Sequence, residues 1–285
     1  MNIQWYPGHM TKAVRNMQND LKLVDLVIEL IDARAPISSR NPDIDKMAQG
    51  KARLIIINKA DLADASVSES WLKYFENKGI KAVLLDSRKN SGMKPVNEAI
   101  AQLREAKAER DKKRGIVNRP MRAMIAGIPN VGKSTLINSL AGKASAKTGD
   151  KPGVTKGSQW IQLKNHVELL DTPGILWPKF EDEAVGIKLA LLGSVNEQIT
   201  DRQELAYEGI KLIQKLYPGI ISEKYGCSES DNSYETLLAI GMARNLKKQG
   251  GEIDDLRAAS IFLDDLRGGR LARISLEKPT EAVNA

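Results

Sequence analysis

The chain has 285 residues, 42% of them hydrophobic and 28% charged, with a formal net charge of +7. Such a length and balance fit one large or two ordinary domains with a buried core. Cys227 is the single cysteine, which excludes an internal disulfide and a multi-cysteine zinc site and fits a reducing compartment. The opening residues MNIQWYPGHMTK lack the apolar run of a signal peptide. Asp25 and Glu29 interrupt the longest apolar stretch, Leu23 to Ile31, well short of the roughly 20 apolar residues a membrane span needs. The expectation is a cytoplasmic protein with no membrane partner.

Met10, Val14, Met17, Leu21 and Val24 recur at alternating spacings of four and three, one apolar face of a helix. Strands are then expected at Val24–Ile31, Leu54–Ile57, Ala82–Leu85, Ala123–Ala126, Trp160–Leu163 and Val167–Leu170, the last two joined by a turn at Lys164-Asn165-His166. Helical patterns at Ser66–Lys78, Met93–Arg114 and Ser134–Ala141 separate most of them. Strands alternating with helices predict an α/β fold, a mainly parallel sheet covered on both faces. Beyond Pro178 the pattern is helical, at Glu183–Leu192, Arg202–Leu216, Tyr234–Lys248 and Ile253–Leu266, with Arg270–Leu276 the one short extended piece. The expected division is an α/β domain over 1–178 and a smaller helical domain over 179–285.

Charge follows this division in part. From Glu208 onward 11 basic residues meet 12 acidic ones, whereas the preceding residues hold 32 against 24. Arg104–Arg122 alone holds 8 basic and 3 acidic residues. A basic excess confined to one part of the chain suggests a polyanionic partner, although a solvated helix face explains Arg104–Arg122 equally well.

Gly127-Ile-Pro-Asn-Val-Gly-Lys-Ser134 fits G-x-x-x-x-G-K-[ST] between an expected strand and an expected helix. Such a loop curls backbone N–H groups around phosphate oxygens at a helix N-terminus. Asn130, Val131, Gly132, Lys133, Ser134 and Thr135 form its nucleotide-binding set. Lys133 reaches for the β- and γ-phosphates as a catalytic charge, and the Ser134 hydroxyl binds Mg²⁺. Asp171-Thr-Pro-Gly174 ends another strand. Asp171 suits Mg²⁺, and Gly174 lets its N–H approach the γ-phosphate without an obstructing Cβ. Between these motifs Thr155, in a Lys- and Gly-rich loop, is the expected switch hydroxyl for Mg²⁺ and a catalytic contributor. Asn58-Lys-Ala-Asp61 follows the strand Leu54–Ile57. A carboxylate at Asp61 can accept from both N1–H and the exocyclic NH₂ of guanine, a pairing adenine does not offer. Asn58 can bind the base and tie loops together, the Lys59 stem can cover the ring, and the Ser87 loop suits guanine O6.

These motifs resemble those of translation-factor-related GTPases in a permuted order. Conventional members begin with the phosphate loop, whereas here the guanine motifs at Asn58–Asp61 and Ser87 precede it. All can still share one rim, because ligands bind at strand C-termini whatever the chain order. Trp5–Ala13, Asp32-Ala-Arg-Ala-Pro36, Gly153-Val-Thr155 and Asp171–Pro178 sharpen the match. Together with the phosphate and guanine motifs they are similar to the YlqF/RbgA family of ribosome-biogenesis GTPases over nearly the whole chain. The resemblance implies GTP hydrolysis to GDP during late assembly of the large ribosomal subunit, stimulated by a precursor particle of rRNA and ribosomal proteins. It also implies an Asn130 that helps hold K⁺ beside the phosphates. Ile175 stands where many small GTPases carry a water-orienting glutamine, so hydrolysis needs another group or a partner. His9, in an exposed Pro-Gly turn beside aromatics, is the leading candidate. The free protein is expected to be a monomer. A GTPase regulating a protein partner without RNA is the alternative, and Asp61 argues against an ATP-dependent kinase.

Overall fold

A computed structural model describes residues 9–86, 92–142, 159–163, 166–172, 182–195 and 201–282, with backbone alone for 9–14, 16, 159 and 281–282. Strands β1 (Leu26–Asp32), β2 (Ala52–Asn58), β3 (Lys81–Leu85), β4 (Met121–Gly127), β5 (Gln159–Leu163) and β6 (Val167–Asp171) form one sheet in the order β3-β2-β1-β4-β6-β5. All neighbours run parallel except β5, which pairs antiparallel with β6. Every residue of β1 is buried, as a central parallel strand covered on both faces requires. Its one mid-strand charge, Glu29, is met by the guanidinium groups of Arg40 and Arg53.

Side-chain alternation divides the core. Leu26, Ile28, Leu30, Ala123 and Ile125 face α4 (Met93–Lys113) and α5 (Lys133–Ala141). On the other face, Val27, Met124 and Leu170 meet Met17 and Leu21 of α1 (His9–Lys22) and Ile44 of α2 (Ile44–Met47). Ile31, Ile55 and Ile57 pack there on Val67, Trp71 and Phe75 of α3 (Ala65–Asn77). The Asp64 carboxylate starts α3 by accepting from the Ser66 and Val67 N–H groups.

The later residues form α6 (Glu183–Leu191), α7 (Arg202–Leu216), α8 (Ile220–Tyr225), α9 (Ser233–Ala243), α10 (Asp255–Arg267) and α11 (Pro279–Ala282). Asp182, Asp201, Asn232 and Asp254 cap α6, α7, α9 and α10 through their side chains. Helix α7 is central and packs on α6, α8, α9 and α10 through Leu205, Ala206, Ile210 and Ile213. This apolar core is continuous with the α4/α5 side of the sheet.

A strap after α10 returns to the sheet domain. The Ile274 N–H donates to Leu62 O at 3.1 Å, and the Leu276 N–H to Arg34 O at 2.6 Å. The buried Glu277 carboxylate accepts from the Ile37 and Ser38 N–H groups at 2.9 and 3.1 Å and from the Ser38 hydroxyl, and Lys188 lies at 3.3 Å. The Trp71 indole donates to Glu277 O at 3.4 Å. The expected extended piece at Arg270–Leu276 is therefore real backbone docking but not a strand, because its hydrogen bonds go to two loops rather than to a ladder.

Candidate guanine-nucleotide site

The chain moves outward from β1 to β2 and β3, then restarts on the other side of β1 with β4 and β6. The reversal falls between β1 and β4, where the carboxyl ends of adjacent strands open a crevice for a ligand. The register brings the motifs to that rim. Asp32 pairs with Asn58 across β1 and β2, Leu30 with Gly127 across β1 and β4, and Ile125 with Asp171 across β4 and β6. Gly127 is required where the phosphate loop leaves β4, since a Cβ there would lie 2.6 Å from Leu30 O.

The loop from Gly127 to Gly132 turns through left-handed backbone at Asn130 (φ 58°) and Gly132 (φ 102°) before α5 begins at Lys133. Alternating right- and left-handed residues make successive N–H groups converge, an anion-binding concavity. The Lys133 ammonium is buried and donates to Gly127 O at 3.0 Å and Ile128 O at 3.2 Å. Burial lowers its pKa to about 8, with Asp171 opposing the shift. Asp171 is 1% exposed, and both its carboxylate oxygens lack a hydrogen-bond partner among the described residues. Burial raises its pKa, with Lys133 opposing. The neighbouring Thr172 hydroxyl is occupied, donating to Ile125 O at 2.6 Å.

Two buried carboxylate oxygens without donors, within electrostatic reach of the Lys133 ammonium, suit a hard cation that also takes phosphate oxygens. The described residues hold no cluster of three acidic, histidine or cysteine side chains. Magnesium bound through one carboxylate, hydroxyls and phosphates needs none.

The guanine motif is tied to the phosphate loop. The buried Asn58 amide donates to Val131 O at 2.8 Å, and the Lys59 ammonium to Asn130 O at 2.7 Å. Lys59 has φ 58°, and the Ala60 N–H donates to Leu85 O at the end of β3. Asp61 follows, half-buried. The Asn130 amide donates across to Gly193 O, just past α6, at 2.8 Å. Asn58, Lys59, Asp61, Asn130, Val131, Gly132, Lys133, Ser134, Thr135 and Asp171 thus lie along one rim, although the guanine residues precede the phosphate residues by about 70 positions. His9 opens α1, and its side chain lies outside the described residues; so do Ser87, Thr155 and Gly174.

Two buried charges at this rim have no assigned part in the sequence reading, Asp32 and Arg34. A carboxylate at the end of a buried strand, with an arginine two positions on, is the sequence signal that points to them.

A family model described as 50S ribosome-binding GTPase matches residues 122–216. A ribosome biogenesis GTPase A from Bacillus cereus is 46% identical over 282 residues, covering 99% of this chain and 95% of that protein. The chain belongs to the ribosome biogenesis GTPase A family. This GTPase is also 33% identical to the Thermotoga maritima member over 98% of its length and 95% of the relative's. The GNP-bound crystal structure of YlqF from T. maritima superposes with a TM-score of 0.65 at 29% identity, covering 94% of this chain and 98% of that one. A GDP-bound YlqF structure superposes with a TM-score of 0.66, also at 29% identity, covering 93% and 100%. The matched stretch 122–216 starts inside the phosphate-loop strand and omits Asn58–Asp61, as a rotated motif order requires.

Proposed function

We propose that this GTPase assists late assembly of the large ribosomal subunit, and that the precursor particle stimulates its hydrolysis. The nucleotide part rests chiefly on one observation, the stitching of Asn58 and Lys59 to the backbone of Val131 and Asn130. That contact makes one pocket edge out of two distant motifs. Asp61 reads the guanine edge, the Lys59 stem covers the ring, and the Ser87 loop meets O6. The N–H groups of residues 130–135 take the phosphates, and Lys133 carries charge to the β- and γ-oxygens. Asp171, Ser134 and Thr155 would hold Mg²⁺, which would supply positive charge to the phosphates. Gly174 senses the γ-phosphate. The Asn130 amide donates to Gly193 O, which fixes the side chain in this loop, and its Oδ1 is the proposed ligand for K⁺.

The ribosomal part is supported by the relatives' names, the family description and the basic excess of the first 207 residues. In this reading residues 1–178 hydrolyse GTP and 179–285 contribute particle contacts. In the same reading the free protein is a cytoplasmic monomer; separately, no helix among the described residues is long and apolar enough to cross a membrane. His9 orients the attacking water once the particle has seated it, since Ile175 cannot.

Cosedimentation with large-subunit precursor particles tests this, using a GTP analogue and GDP at rising salt. Turnover of native protein and His9→Ala is followed in the same mixtures. Binding should occur with the analogue, weaken with salt as phosphate contacts do, and raise turnover in the native protein alone. Equal sedimentation in both nucleotide states, or no stimulation, would overturn the reading. Salt-insensitive binding would favour a protein contact over RNA.

A further inference from the structure

Asp32 is the last residue of β1 and 1% exposed, with a full set of charged partners. Its Oδ1 accepts from Arg34 Nε at 2.9 Å and from the Arg34 N–H at 3.1 Å. Its Oδ2 accepts from Arg34 Nη2 at 2.9 Å and lies 3.0 Å from Lys59 Nζ. Burial pushes its pKa up, but Arg34 and then Lys59 overcome this and hold the carboxyl well below its usual range. The remaining Arg34 nitrogen, Nη1, donates to Arg267 O at 2.9 Å, at the end of α10.

A lysine stem is long, flexible and rich in rotamers, a poor platform for a base unless its head is fixed. Here the head is fixed at two points, Asp32 Oδ2 and Asn130 O. Arg34 in turn leaves Asp32 no other orientation, because a forked guanidinium sets the carboxylate plane. We propose that Asp32, locked by Arg34, is a positioning residue for guanine-nucleotide binding that holds the Lys59 stem where the base stacks. This rests on the reading of Lys59 as the ring-covering residue. Ordering the stem before the ligand arrives lowers the cost of binding. The gain is the same for GTP and GDP and absent from the chemical step.

A double-mutant cycle of Asp32→Asn and Lys59→Met tests this, with GTP and GDP affinity, KM and kcat as readouts. Asp32→Asn keeps the shape and removes the charge. It should weaken both nucleotides about tenfold, as a lost charge-assisted contact does, raise KM in proportion and leave kcat within about twofold. In the Lys59→Met background the same change should cost less than about twofold, because residues acting through one another are not additive. An undiminished cost in that background would make Asp32 a general structural residue and overturn the proposal. Unaltered affinity in Asp32→Asn, with Lys59→Met weakened, would overturn it and leave the base-site reading standing. Unaltered affinity in Lys59→Met would remove the base-site reading and the proposal with it. If Asp32→Asn does not fold, Arg34→Lys carries the same cycle, since it keeps the charge and loses the fork.

Discussion

At the scale of single residues, the proposed phosphate role of Lys133 should link nucleotide binding to pH. Its ammonium is buried, and burial has lowered its pKa from 10.5 to about 8. A bound polyphosphate requires the charged form and favours it, so the complex titrates at higher pH than the free protein. GTP affinity should then be flat below pH 8 and fall above it, by up to about tenfold per pH unit until the complex itself titrates. Titration calorimetry between pH 7 and 9.5 would read this, and a flat profile would contradict it. In the free protein the sign is opposite for folding. Between pH 8 and 10.5 the unfolded chain binds this proton and the folded chain does not, so this group adds stability as pH rises. The local geometry of the Gly127–Lys133 loop was legible from sequence, because glycine spacing and a following lysine describe such a loop locally. The role of Arg34 was not, since its partners include Arg267, 233 positions away.

At the scale of elements, the strap is the contact most open to a direct stability measurement. Glu277 is 5% exposed and satisfies two backbone N–H groups and a hydroxyl on the loop between β1 and α2. Glu277→Ala should cost roughly 3 kcal/mol, because buried donors are left without acceptors. A lower denaturant midpoint at constant slope would show it, with Glu277→Gln losing less; a shift under about 0.5 kcal/mol would place the strap outside the folding unit. Helix limits read from periodicity were good where caps were local, and α7 at Arg202–Leu216 matches its pattern end to end. The expected helix Tyr234–Lys248 instead stops at Ala243. Asn245 turns left-handed (φ 53°), the Leu246 N–H bonds back to Gly241 O, and Lys247 bridges to Ile253. A left-handed asparagine cap of this kind overrides apolar periodicity. The short helices α2 and α8 carry too few turns for periodicity to reveal.

At the scale of the molecule, the rotated order attaches the helices to the sheet at more places than the sequence suggests. Sequence order alone hangs residues 180–285 from the chain leaving β6, just after Asp171–Gly174. The structure adds the Asn130 bond to Gly193, the Arg34 bond to Arg267 and the strap over Leu62 and Arg34. Exchange of GDP for a GTP analogue should therefore alter amide hydrogen exchange within residues 180–285. Identical protection in both states would show that the helices ignore the nucleotide. The α/β fold was readable because strand and helix signals are local, whereas the strap closes contacts between residues 240 positions apart, such as Ile37 and Glu277. That separation bears on the order of synthesis. The rim at Asn58–Asp61 emerges from the ribosome early, yet the neighbouring backbone groups wait for partners in a segment translated more than 200 residues later. A nascent chain can build the sheet first, but its loops at Arg34–Ser38 and Leu62 acquire their native bonds only near the end of translation.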